Sequence, residues 1–167
     1  SGGGVTYNTT NCFVNIYTQG TPGTIIINGG TIEAYGGHQA AGIGGGVNGA
    51  ATSTSITVNG GTIIAKGGRW AAGIGDGDSL SDGSNYRYSP DYYNDYSVNI
   101  SGGYVEAIGG VACPGIGCTD TLKNVNKKSA MTIRLTGGTI KARSGYPDGF
   151  NPNQNSSYNK EDAAAGI

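Results

Sequence analysis

Four segments of this chain align with one another, and an internal repeat restricts the fold before any other reading is made. The first copy is Thr24-Ile25-Ile26-Ile27-Asn28-Gly29-Gly30-Thr31-Ile32-Glu33-Ala34-Tyr35-Gly36-Gly37, then Ala40-Ala41-Gly42-Ile43-Gly44. The second is Ser55-Ile56-Thr57-Val58-Asn59-Gly60-Gly61-Thr62-Ile63-Ile64-Ala65-Lys66-Gly67-Gly68, then Ala71-Ala72-Gly73-Ile74-Gly75. The third runs from Ser97 to Ala107 and closes with Pro114-Gly115-Ile116-Gly117, and the fourth runs from Thr132 to Ala142 and closes with Ala164-Ala165-Gly166-Ile167.

Within each copy apolar residues alternate with polar ones, the pattern of short strands with one buried and one wet face. Ile25, Ile27, Ile32, Ala34 and Ile43 are predicted to point inward, as are their equivalents in the other copies, ending with Ile133, Leu135, Ile140, Ala142 and Ile167. Stacked copies place like residues above one another at about 4.8 Å, forming aliphatic columns that no single copy could bury alone. The paired glycines between strands suit sharp corners. The sequence therefore predicts an all-β, right-handed parallel β-helix (β-solenoid) of about four rungs of three short strands. It is one segment over residues 1–167, with insertions at about 6–22, 76–96 and 144–162. No window holds a helical apolar period free of glycine pairs. An antiparallel sandwich would not explain why the same side chain recurs at the same position of every copy.

Composition excludes several alternatives. Glycine supplies 33 of 167 residues without a three-residue period, so the chain is not collagen-like. Charged residues are 13% of the chain and Ile and Val fall in short β-rich runs, unlike a disordered segment. The net charge of −1 and the lack of a basic block argue against nucleic acid as a partner. No apolar run approaches the roughly 18 residues of a membrane span. The chain shows neither signal peptide nor initiator methionine and starts and stops within a rung motif, so the expectation is a piece of a longer array or a protomer that stacks head to tail. Cys12 stands alone, whereas Cys113 and Cys118 flank Pro-Gly-Ile-Gly and could form either a small disulfide loop or two thiols.

Since core positions are taken up by packing, binding residues are sought where the repeat is interrupted. The longest interruption carries Asp76, Asp78 and Asp82 around glycines, a set of hard oxygen ligands that makes calcium the candidate cofactor, against a solvated acidic turn. The same stretch carries Tyr86, Tyr88, Tyr92, Tyr93 and Tyr96, flat amphipathic groups suited either to stacking on sugars or partners or to packing on the solenoid wall. Trp70 aligns with Gln39, and Arg69 with His38; here too a binding platform competes with cover for an apolar edge. A third interruption, Tyr146-Pro147-Asp148-Gly149-Phe150, has turn chemistry and is expected on the same face. The threonine column Thr31, Thr62, Thr139 is broken by Tyr104, which weakens an ice-binding reading. No catalytic constellation emerges: Lys66 and Arg87 lack a second acid cluster, there is no Gly-x-Ser-x-Gly, and His38 has no nucleophilic partner.

The motif Ile-x-Ile-x-Gly-Gly-Thr-Ile-x-Ala-x-Gly-Gly followed by Ala-Ala-Gly-Ile-Gly resembles the glycine-rich β-helix repeats of large bacterial cell-surface and secreted proteins, which are akin to right-handed β-helix carbohydrate-binding domains. The resemblance covers nearly the whole chain outside the insertions. It implies an extracellular or cell-surface setting with polysaccharide or surface glycan as partner, but it does not fix an activity, because fold alone does not. The expected function is a non-catalytic stalk displaying adhesive loops. Its alternative is a structural subunit whose partners are neighbouring copies of the same chain, and a polysaccharide lyase is the remoter reading.

Overall fold

A computed structural model describes residues 23–46, 55–77, 96–118, 131–145 and 166–167. Within them lie eleven strands. The first rung is β1 (Thr24–Ile27), β2 (Thr31–Tyr35) and β3 (Ile43–Gly44). The second is β4 (Ser55–Val58), β5 (Thr62–Lys66) and β6 (Ile74–Gly75), and the third is β7 (Tyr96–Ile100), β8 (Tyr104–Val111) and β9 (Ile116–Gly117). The fourth rung contributes β10 (Met131–Leu135) and β11 (Thr139–Gly145).

Equivalent strands pair in parallel, giving three sheets in the orders β1-β4-β7-β10, β2-β5-β8-β11 and β3-β6-β9. This is the expected right-handed β-solenoid, whose crossover hand follows the right-handed twist of its strands. The register matches the sequence alignment residue for residue: Ile25 pairs with Ile56 and Ile56 with Val98, while Ile43 pairs with Ile74 and Ile74 with Ile116. The final dipeptide completes the pattern. The Ile116 N–H donates to the Gly166 carbonyl at 3.0 Å, as Ile43 does to Gly73 and Ile74 to Gly115. Asp76, Tyr96, Ser144 and Gly145, at the margins of the expected insertions, lie in the rungs.

The columns are driest in the middle. Ile56, Val58, Ile63, Ala65, Ile74, Val98, Ile100, Val105, Ala107 and Ile116 are all fully buried, and burying one such aliphatic side chain is worth roughly 1.5–3 kcal/mol. Ile25, Ile32, Ala34, Ile133, Ile140 and Ala142 pack against this cluster but are only partly buried. The fourth rung departs from the expected burial: Leu135 pairs with Ile100 yet is 41% exposed, and Ile167 is 55% exposed. Among the described residues these side chains have a rung on one side only, so half of the stacking contact is missing.

Two kinds of corner make the stacking possible. Between the first and second strands of each rung, Gly30, Gly61, Gly103 and Gly138 take φ of +88°, +101°, +86° and +90°, a region side chains rarely adopt. Polar side chains bridge the rungs beside them: Asn59 Nδ2 donates to Asn28 Oδ1 at 2.8 Å, and Ser101 Oγ donates to Asn59 Oδ1 at 3.1 Å. After the second strand the coils touch backbone to backbone. A Cβ on Gly68 would meet the Gly37 carbonyl oxygen, and one on Gly110 would meet that of Gly68, both well inside van der Waals contact.

Candidate functional site

The interruptions are anchored in a regular way. The connections 47–54, 78–95 and 119–130 all leave the solenoid just after a third-sheet strand and return at the start of a first-sheet strand, so their roots stack along one corner. Backbone bonds fix those roots: Gly45 N–H donates to the Gly75 carbonyl at 2.8 Å and Asp76 N–H to the Gly117 carbonyl at 3.2 Å. The connection 146–165 is rooted instead at the corner after the second sheet, at Gly145, and the Tyr146-Pro147-Asp148-Gly149-Phe150 stretch expected on the same face lies outside the described residues.

Of the proposed calcium ligands, Asp76 sits in the second rung, 8% exposed, with its carbonyl accepting from Ala72 N–H at 3.0 Å. Asp78 and Asp82 lie outside the described residues. Among the described residues no group of three His, Cys, Asp or Glu side chains is placed to hold a metal ion. Tyr86, Tyr88, Tyr92 and Tyr93 also lie outside the described residues. Tyr96 opens β7, its backbone paired with Met131. Cys113 and Cys118 are not bridged to each other, and Cys12 lies outside the described residues.

Trp70 is placed where the alignment put it. Gln39, Trp70 and Ala112 occupy one corner position in successive rungs, with φ of +61°, +63° and +55°. Each is the third residue of a turn closed by an i to i+3 bond, Ala40 N–H to Gly37, Ala71 N–H to Gly68 and Cys113 N–H to Gly110, all at 3.1 Å. A single positive φ at that position is the type II arrangement that normally selects glycine or asparagine, so each residue carries strain of order 1–3 kcal/mol. The strain recurs in three rungs and so belongs to the coil rather than to Trp70 in particular. Around Trp70 the Arg69 guanidinium carbon stands 4.0 Å from the indole centroid, and the His38 ring meets it edge-on at 6.1 Å. The indole thus bridges two rungs and carries a cation on its face, which is worth about 0.5–1 kcal/mol at an exposed site.

A second group escaped the sequence reading. On the outer face of the second sheet, Tyr35 Oη donates to Glu33 Oε2 at 3.3 Å, while Lys66 Nζ lies 5.3 Å from the Tyr35 ring centroid. Two rungs on, the arrangement recurs: Tyr104 Oη donates to Glu106 Oε2 at 3.4 Å and Lys141 Nζ lies 5.4 Å from the Tyr104 ring. The Glu33 carboxylate raises the pKa of the Tyr35 phenol, chiefly because the phenolate would repel the neighbouring negative charge and secondly because the hydrogen bond favours the neutral form. The signal was available in principle, since Glu33 and Tyr35 are two apart and hence on one face, but the lysines come from the next rung and require the register.

Comparison with known proteins agrees with this geometry. A family model described as a β-helix repeat matches the chain three times, at residues 25–47, 56–78 and 98–120. Each match begins at the second or third residue of a first-sheet strand and runs through the third strand of the same rung, so the three matches are the first three rungs. No curated protein and no solved structure is significantly similar to the chain.

Proposed function

Taking the chain as a β-helix repeat protein, we propose that it is a non-catalytic, extracellular segment of a bacterial surface protein, a stiff stalk that displays adhesive connections toward glycans or a neighbouring protein. The observation that carries this reading is the stacking of three connection roots, at Gly46, Gly77 and Cys118, on one corner of successive rungs. Roots about 4.8 Å apart on a hydrogen-bonded wall give variable segments a common, rigid base, the arrangement by which repeat proteins build continuous binding faces. The longest of these segments holds Tyr86, Tyr88, Tyr92 and Tyr93 together with Asp78 and Asp82. Glycan-array binding tests the reading. Signal on one or more polysaccharides, abolished in a Tyr92→Ala, Tyr93→Ala variant that still folds, is the expected result, and an unchanged signal contradicts it. Calorimetry with calcium, repeated on Asp78→Ala, tests the metal at the same segment.

The half-exposed columns of the outer rungs favour a second reading, in which copies stack head to tail. In continued register Lys141 of one copy would stand over Glu33 of the next, opposite charges in one outer column. Sedimentation at micromolar concentration separates the two: filaments support stacking, and a monomer supports the stalk.

A further inference from the structure

The outer face of the second sheet carries a diagonal stripe that the hydrophobic core does not need. Alternation along β2, β5 and β8 turns Thr31, Glu33 and Tyr35, then Thr62, Ile64 and Lys66, then Tyr104 and Glu106 away from the core. The register Thr31–Thr62–Tyr104 and Glu33–Ile64–Glu106 fixes where each stands. Tyr104 in the third rung, Ile64 in the second and Tyr35 in the first therefore lie on one oblique line, each step moving one rung across and two residues along. With a rise of about 3.3 Å per residue and a strand spacing of about 4.8 Å, the line from Tyr104 to Tyr35 measures about 16 Å.

The flanks of the stripe are polar and ordered. A carboxylate receives the phenol at each end, Glu33 from Tyr35 and Glu106 from Tyr104. Each carboxylate has a second oxygen that this bond does not use. A lysine from the following rung holds each ring, Lys66 at Tyr35 and Lys141 at Tyr104. Tyr35 nevertheless remains 62% exposed, and Glu33, Thr31, Thr62, Lys66 and Lys141 are exposed with it.

We propose that this stripe is a binding surface for an extended, neutral polysaccharide, lying obliquely across the first three rungs from Tyr35 to Tyr104. The chemistry matches: pyranose rings present apolar C–H faces suited to tyrosine and isoleucine, and equatorial hydroxyls suited to carboxylate acceptors and ammonium donors alongside. A hydrogen-bonded parallel sheet holds these groups at fixed spacing with little ordering needed on binding. Glu33 and Glu106 are balanced by Lys66 and Lys141, so the stripe has no block of one sign with which to recruit a charged polymer such as a polyuronate. A free polypeptide strand is a poorer occupant, because the stripe crosses the sheet obliquely and offers side chains, whereas strand addition requires an open backbone edge. This surface is separate from the connections of the proposed function and stands or falls independently of them.

The test is affinity electrophoresis of the full chain in gels containing hydroxyethyl cellulose, xyloglucan, galactomannan or polygalacturonate. Retardation by at least one neutral polymer is expected. The dissociation constant should rise at least tenfold in Tyr35→Ala, Tyr104→Ala and be largely kept in Tyr35→Trp, Tyr104→Trp. Ile64→Asp places a charge at the centre of the stripe and should weaken binding similarly, and far-ultraviolet circular dichroism checks that each variant folds. Retardation by polygalacturonate alone, by no polymer, or to the same extent in wild type and Tyr35→Ala, Tyr104→Ala overturns the proposal. Retardation that Tyr92→Ala, Tyr93→Ala abolishes and Tyr35→Ala, Tyr104→Ala leaves intact would uphold the displayed connections and overturn the stripe, and the converse pattern would do the opposite.

Discussion

The inner and outer rungs of this solenoid obey one sequence pattern and differ in what that pattern accomplishes. Ile63 and Ile32 are register partners, yet Ile63 is fully buried and Ile32 only partly so. Gly68 and Gly37 occupy the same corner, yet a Cβ on Gly68 would collide with the Gly37 carbonyl while one on Gly37 meets nothing within 4 Å. Stability in such a stack is therefore a property of interfaces between coils, with two per inner rung and one per outer rung among the described residues. The same residue type is indispensable in one rung and tolerant in its neighbour.

Paired substitutions probe this difference. The largest effect is expected for Ile63→Ala, which removes a side chain flanked by rungs on both sides and should destabilise by about 3–4 kcal/mol, against about half that for Ile32→Ala. Urea unfolding of both variants checks the ratio, and equal losses would mean that the outer rung is as well covered as the inner. Next comes Gly68→Ala, expected to lose about 3 kcal/mol because backbone must give way to a methyl group, while Gly37→Ala should stay within about 0.5 kcal/mol of wild type. If Gly37→Ala proves equally damaging, another coil lies against the first rung. Asn59→Ala removes the bridges to Asn28 and Ser101 and should cost about 1 kcal/mol, measured the same way. Ala112→Gly has the opposite sign: releasing a residue from φ +55° should stabilise by up to about 1 kcal/mol. The smallest change is spectroscopic. In Glu33→Gln the Tyr35 phenol should ionise at lower pH than in wild type, followed by carbon-13 NMR of labelled tyrosine, because the negative neighbour that holds its proton is gone.

Much of the fold could be read directly from the residues. Ile25, Ile56, Val98 and Ile133 recur at one position because parallel stacking makes each the neighbour of the next, and the register follows the alignment through the aligned copies, slipping only beyond them, between Arg143 and Gly145. The position of Trp70 relative to Gln39 was legible for the same reason. Its backbone was not: a type II turn usually announces itself by glycine at the third position, and here glutamine, tryptophan and alanine stand there instead. The incomplete burial of Leu135 was equally invisible, since alternation reports which side a residue faces but not whether another coil covers it. The Tyr35 and Tyr104 groups were hidden because each combines an i, i+2 pair with a lysine from the following rung, and such neighbours exist only once the coils are stacked. The residues of 78–95 carry no period at all, so neither repeat nor alternation places their tyrosines and aspartates.

Spin labels on a chain with its three cysteines replaced by alanine measure the stacking most directly. Labels at Thr57 and Asn99, register partners on the wet face of the first sheet, should show strong dipolar broadening from backbones about 4.8 Å apart, and labels at Thr57 and Arg134 should show weaker coupling across two rungs at about 10 Å. An unbroadened Thr57 and Asn99 pair would contradict parallel, in-register coils, and with them both the stalk and the oblique stripe.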